Sequence, residues 1–182
     1  MNLLFEGQTC YLRSLAIEDA EEMVQLLVRN REYWSVYEPT HRDSYFTAAV
    51  QREKIRESIY QARENREYSV GIFEHETNKL VGHISVYGIK RIPFLSALIG
   101  YSIDEAYIGK GIATEAVQLM TVCVFEQLRL HRVEAYVSPE NVGSIRVLEK
   151  TGFRQEGLLK EFLYINGEWK DHYYYAMIEG EF

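Results

Sequence analysis

Two glycines two residues apart, Gly109 and Gly111, sit in YIGKGIAT at 107–114, between an apolar β-rich run and an amphipathic one. Glycine lets a backbone turn sharply and approach a ligand closely. The free N–H groups of the helical turn that follows, with the helix dipole behind them, favour an anion. A diphosphate is the natural guest. Two nucleotide-binding patterns fail on spacing. GxxxxGK followed by Ser or Thr is absent, and GxGxxG would need a glycine where Thr114 stands, as well as an opening strand–helix–strand unit. The competing reading is that the glycines only make a tight strand-to-helix connection.

The segment 30–46, NREYWSVYEPTHRDSYF, is non-periodic and broken by Pro39, yet it carries Tyr33, Trp34, Tyr37, Tyr45 and Phe46. Connecting segments usually carry polar residues, so this density calls for packing or recognition. Tyr33, Trp34, Tyr37 and Pro39 could wall a peptide backbone, or they could form a cluster that pins the loop. Cys10 and Cys123 are far apart in apolar surroundings, and the five histidines have no zinc spacing. They read as buried thiols in a reducing cytoplasm, with no metal.

The elements that must position these residues follow from periodicity. Thr9–Leu15 alternates and reads as a strand. Residues 17–30 read as a helix with Ala20, Met23, Val24, Leu27 and Val28 on its apolar face, then 30–46 as a loop and 47–66 as a charged helix apolar on Ala48, Ile55 and Ile59. Strands follow at Tyr68–Phe73, Leu80–Tyr87 and Ala97–Ile103. After the glycine loop a helix runs to about Leu130, burying Ala116, Val117, Met120, Val124 and Leu128. HRVEAYV at 131–137 is a strand, 138–153 holds a short helix stopped at Gly152, and 159–178 is a hairpin about Asn166-Gly167. The order β-α-α-β-β-β-α-β-α-β-β describes an α/β protein with a mixed sheet rather than a doubly wound one.

With 182 residues, 47% apolar and 26% charged, the chain reads as one domain over 1–182, with enough length to bury a core unaided. A formal charge of −7 argues against broad nucleic-acid binding and suits a cationic partner. No run is apolar and long enough for a membrane span or signal peptide, so a cytoplasmic location is expected.

The combination of YSIDEAYIGKGIATEA at 101–116, the strand HRVEAYV, and N-x-x-S-x-x-V-x-x-x-x-GF from Asn141 to Phe153 resembles the GNAT acetyltransferase superfamily. NREYWSVYEP at 30–39 and LLKEFLYINGEWKDHYYYAM at 158–177 resemble its Rim-type branch, the ribosomal-protein alanine N-terminal acetyltransferases. The fold implied is a central, mostly antiparallel sheet with a splayed parallel strand pair, flanked by helices. Acetyl-CoA is implied as co-substrate. Its pantetheine would lie along Ser102 and Ile103 and its diphosphate on Gly109, Lys110, Gly111, Ile112, Ala113 and Thr114. Ile108 stands where the family pattern has Gln or Arg, and Asn141 opens the short helix at the cofactor.

Many members carry a general-acid tyrosine seven residues after that asparagine. Here the position is Leu148, so the role passes to Ser144, or Ser144 only decorates the helix start. Base candidates are Glu38, Asp43, Asp104, Glu105 and His41, with Glu38 foremost. Tyr33, Trp34 and Tyr37 would meet the acceptor. The resemblance implies direct acetyl transfer to a primary amine, foremost the N-terminal α-amine of a ribosomal protein. A small amine (antibiotic, polyamine or amino acid) or a non-catalytic acyl-CoA sensor are the alternatives, and a homodimer is left open.

Overall fold

The computed structural model describes residues 3–181. Eight strands form one sheet in the order β1-β2-β3-β4-β5-β6-β8-β7. They are β1 (Leu4–Glu6), β2 (Cys10–Ser14), β3 (Tyr68–Glu74), β4 (Leu80–Lys90), β5 (Ser96–Ile103), β6 (Arg132–Val137), β7 (Arg154–Ile165) and β8 (Glu168–Ile178). Every neighbouring pair is antiparallel except β5 and β6. The α-helices are α1 (Ala20–Arg29), α2 (Arg31–Trp34), α3 (Ala48–Arg63), α4 (Ile112–Val122) and α5 (Val142–Lys150).

Cross-strand pairs share a face of the sheet. Ile84 faces Tyr101 and Val86 faces Ile99, and this side packs with α4 into the main core. All of the apolar set expected for the glycine-loop helix is buried there: Ala116, Val117, Met120, Val124 and Leu128. His83 faces Ser102 and Ser85 faces Gly100, and this opposite, polar side lies beneath α3. A smaller apolar cluster, with Met23, Leu26, Leu27 and Trp34, fastens α1 and α2 to the sheet.

Several local expectations are corrected. Val28 is 54% exposed, and Leu26 and Asn30 are fully buried instead. The inward arc of α1 is Met23, Leu26, Leu27, Asn30, the i, i+3, i+4, i+7 set. The segment 30–46 is not all loop: α2 and a 3₁₀ turn at Asp43–Phe46 occupy it. The helix after the glycine loop ends as a π-turn at Cys123–Gln127, with Leu128 N donating to the Cys123 carbonyl at 3.0 Å. The sheet gains a strand, β1, ahead of the first expected one, and β7 begins at Arg154 rather than near 159. Among the described residues no helix is long and apolar enough to cross a membrane.

Candidate active site

The parallel pair separates. Ser96–Leu98 of β5 register with Arg132–Glu134 of β6, but β5 continues to Ile103 and β6 to Val137 without pairing. The Ser102 carbonyl points toward β4, since a Cβ added at Gly82 would lie 2.5 Å from it. In an antiparallel ladder a residue's N–H and C=O leave on the same side and neighbours alternate. The main-chain groups of Tyr101 and Ile103 therefore face the open edge at the split. One of them is taken, because Trp34 Nε1 donates to the Ile103 carbonyl at 3.0 Å. The Ile103 N–H remains on that edge.

A cleft of about 380 Å³ passes through the split. On the α4 side it is walled by Ile108, Gly109, Gly111, Ile112, Ala113, Thr114, Asn141 and Ser144, and on the other side by Tyr33, Trp34, Tyr37 and Glu38, with Ser102 and Ile103 between. Of the residues expected to hold acetyl-CoA or meet the acceptor, Lys110 alone is off the wall, its ammonium lying 4.4 Å from the centre of the Tyr107 ring.

Gly109 and Gly111 adopt φ of +78° and +83°, conformations that glycine tolerates best. An added Cβ at either would meet nothing within 4 Å, so the loop bounds open space. Gly111 is the N-cap of α4 and has no side chain to satisfy the first-turn N–H groups, which leaves them for an anion. Arg146 and Lys150, one turn apart on α5, also line the cleft. Their charges suit a polyanion in an otherwise acidic chain. The open cradle, free donors and basic pair together fit the diphosphate of a coenzyme A thioester.

Asn141 is the N-cap of α5, its Oδ1 accepting from Ser144 N at 3.0 Å. Ser144 is therefore not the capping side chain. Its Oγ lies 2.8 Å from the Tyr101 hydroxyl. Burial pushes the Tyr101 phenol well above its ordinary pKa, despite the opposing bond to Ser144, so it stays protonated. Leu148 is 1% exposed and belongs to the main core. No acid acts from that position.

On the opposite wall Glu38 accepts a hydrogen bond from Ser102 Oγ. The loop that carries it is held from a distance. Asn166 Oδ1 accepts from Thr40 N at 2.8 Å, and Asn166 Nδ2 donates to the carbonyls of Ser35 at 2.9 Å and Glu38 at 3.3 Å. The Tyr37 hydroxyl reaches the Glu140 carbonyl at 3.3 Å, joining this loop to the start of α5. The other base candidates lie off the cleft wall. Asp104 pairs with Arg29 Nε at 2.5 Å, and Asp43 pairs with Arg31 at 2.8 Å. Glu105 N is held by Asn30 Oδ1 at 2.9 Å, and the His41 ring stacks on Tyr45 at 3.8 Å.

Neither cysteine lines the cleft. Burial raises the thiol of Cys123 to about 11, and burial together with Glu115 raises that of Cys10 to about 12, so both stay protonated at neutral pH. Among the described residues no cluster of three His, Cys, Asp or Glu could hold a metal. Residues missed from sequence are Tyr101, Arg146, Lys150 and Asn166. Tyr101 reads as a core strand position, and Asn166 as a turn residue. The i, i+4 basic pair on α5 was the one signal available.

The family model for an acetyltransferase (GNAT) domain matches residues 10–154. A "Probable N-acetyltransferase YjcK" of Bacillus subtilis is 41% identical over 175 residues, covering 96% of this chain and 97% of that protein. The structure of a ribosomal-protein-S5-alanine acetyltransferase from Vibrio fischeri superposes with a TM-score of 0.92 at 31% identity, covering 98% of this chain and 97% of the other. That of Mycobacterium smegmatis RimJ in complex with CoA-disulfide gives 0.89 at 30% identity, over 94% and 83%.

Proposed function

The chain belongs to the GNAT acetyltransferase family and is an N-acetyltransferase, and from that premise we propose that it moves the acetyl group of acetyl-CoA to the α-amine of a protein N-terminus by direct attack in a ternary complex. One observation carries the reading. The split between β5 and β6 is walled on one side by an anion cradle and Ser144, and on the other by Glu38 among aromatic rings.

Acetyl-CoA supplies a thioester whose carbonyl is the electrophile. The N–H groups at Gly109–Thr114 hold the diphosphate, with Arg146 and Lys150 beside it. The Ile103 N–H faces the split, where a donor aimed at developing negative charge on oxygen contributes about 3–4 kcal/mol. Glu38 attracts the incoming ammonium and takes its proton before attack. Ser144 hydrogen-bonds the departing sulfur, its hydroxyl oriented by Tyr101. The demand on this acid is modest, because a thiol of pKa ~8.5 leaves readily near neutrality.

An α-amine suits this equipment. With pKa ~7.7–8.0 it is substantially neutral near pH 7.4, whereas a lysine at ~10.4 is neutral about one time in a thousand. Relatives named as ribosomal-protein alanine acetyltransferases support the choice. The test is a mass-spectrometric screen of peptide N-termini and small amines with acetyl-CoA. Acetylated α-nitrogens support the reading, and exclusive use of small amines refutes it.

A further inference from the structure

A second cavity, of about 410 Å³, lies beneath α3 on the face of the sheet that carries Ser102. Ser69, His83 and Ser85 form its floor, and Gln51, Lys54 and Glu57 part of its roof. It abuts the Glu38 side of the cleft. His83 faces Ser102 across the ladder, and the Trp34 ring packs edge-on against His83 at 5.4 Å. Acetyl transfer as described does not use this space.

Its wall carries two carboxylates, Glu57 and Glu67, against one ammonium, Lys54, together with side chains that both donate and accept, among them Ser58 and Gln61. Gln51 is 4% exposed and commits its Nε2 to the Tyr45 carbonyl at 2.7 Å. Among the described residues no donor meets its Oε1, and Gln51 lines the cavity. Ser69 Oγ donates to Glu67 at 2.8 Å and lies 2.7 Å from Ser85 Oγ. Each hydroxyl has one proton, so Ser85 donates to Ser69 and the chain ends on the Glu67 carboxylate. The His83 ring nitrogens make no hydrogen bond among the described residues, and burial lowers the ring's pKa against the pull of Glu38, which keeps it neutral. Glu57 and Glu67 add negative charge. Among the described residues of the wall the one cation is Lys54, which is exposed, with its ammonium 5.1 Å from the Tyr45 ring centre.

We propose that this cavity receives a second, positively charged hydrogen-bond donor of the acceptor molecule. Ser85 is the diagonal neighbour of Ser102, so these two residues of the cavity and the cleft stand roughly 7–8 Å apart on one face of the sheet. A lysine or arginine side chain on the first residue of a peptide has that reach, as does the far amine of a free diamine. The inference rests on amine acetylation at the cleft and names its preferred class.

The test uses the full chain, acetyl-CoA and two sets of acceptors. One set is a peptide whose first residue is Lys, norleucine or Glu, with the acetylated nitrogen located by fragmentation. The other is 1,5-diaminopentane against n-pentylamine. The cationic acceptor of at least one set is expected to exceed its neutral counterpart by roughly 10- to 100-fold in kcat/KM, as a charged hydrogen bond would give. The ratio should collapse in Glu57→Gln/Glu67→Gln. Because Glu57 is exposed, Glu57→Gln alone should narrow it in a chain that melts normally. Which set shows the preference identifies the source of the cation. Equal use of lysine and norleucine together with equal use of diamine and monoamine, a preference for Glu, or a ratio unchanged in the variants overturns the proposal while leaving amine acetylation standing. If no acceptor in either set is acetylated, both readings fall.

Discussion

The hydroxyl of Tyr101 lies 2.8 Å from Ser144 Oγ and 3.2 Å from the carbonyl of the same residue. A phenol held protonated by burial donates to one of these oxygens, and it fixes the direction in which the serine can offer its own proton. The two hydroxyls join β5 to α5 at the point where the sheet opens.

Ser144→Ala should lower turnover by about 10- to 1000-fold, the range of a typical acid contribution. Tyr101→Phe should lower it too, by a smaller factor, because it removes only the orienting partner. Acetyl-CoA affinity should change little in either. Stopped-flow thiol release and calorimetry separate the two quantities. Full turnover in Ser144→Ala would assign the serine to structure.

Gly111→Val should abolish acetyl-CoA binding. The chain has room for the side chain, since an added Cβ meets nothing within 4 Å. The cost comes from filling the cradle and from forcing a β-branched residue to φ +83°, about 1–2 kcal/mol or more. A lowered melting temperature with unchanged calorimetric affinity would remove the loop from the cofactor site.

The legible part of this molecule was whatever repeats locally. The buried set of α4 recurs with helical period in an apolar run, and Asn166-Gly167 has hairpin chemistry, so both are legible in the sequence. β1 is only three residues long, too short for alternation to show. Periodicity alone puts Val28 inward because apolar residues occur on more than one side of α1, whereas Asn30, a polar residue, is buried with its amide bonded to Leu26 and Glu105. At the site, the glycine loop announced itself through spacing. Asn166 holding the Glu38 loop across more than a hundred residues is tertiary, and no local pattern encodes it.

Asn166→Gly tests that long-range support, because glycine keeps the left-handed turn, φ +51°, and removes the amide. KM for the amine should rise several-fold, with acetyl-CoA affinity unchanged. Unaltered kinetics would mean that the loop holds its position without the hairpin.

Glu38→Gln should raise KM for a peptide acceptor, and the difference should shrink as salt screens the attraction. Trp34→Ala should impair peptide use without that salt dependence, since it removes a wall and the bond to the Ile103 carbonyl. Wild-type kinetics in both would put the acceptor elsewhere.

Glu115 gives a prediction about pH. Burial raises its pKa, but bonds from Thr9 Oγ1 and the N–H groups of Gln8, Thr9 and Cys10 prevail, and the carboxyl falls from 4.5 to about 2. The unfolded chain therefore binds more protons in this window. The stability that Glu115 contributes is present above about 4.5 and is lost as pH falls toward about 2. Urea midpoints for Glu115→Gln should be lower than wild type at neutral pH and converge with it in acid. A constant gap across that window would contradict the shift.

The most direct test of the account is one reaction: acetyl-CoA, the wild-type chain and a peptide carrying both a free N-terminus and an internal lysine, with the acetylated nitrogen located by fragmentation mass spectrometry and the same reaction run with Ser144→Ala and Glu38→Gln. The account predicts acetyl on the α-nitrogen, released thiol in equal amount, and a loss of rate in both variants. Acetyl on the lysine alone, or tight acetyl-CoA binding with no thiol released to any amine, would contradict it.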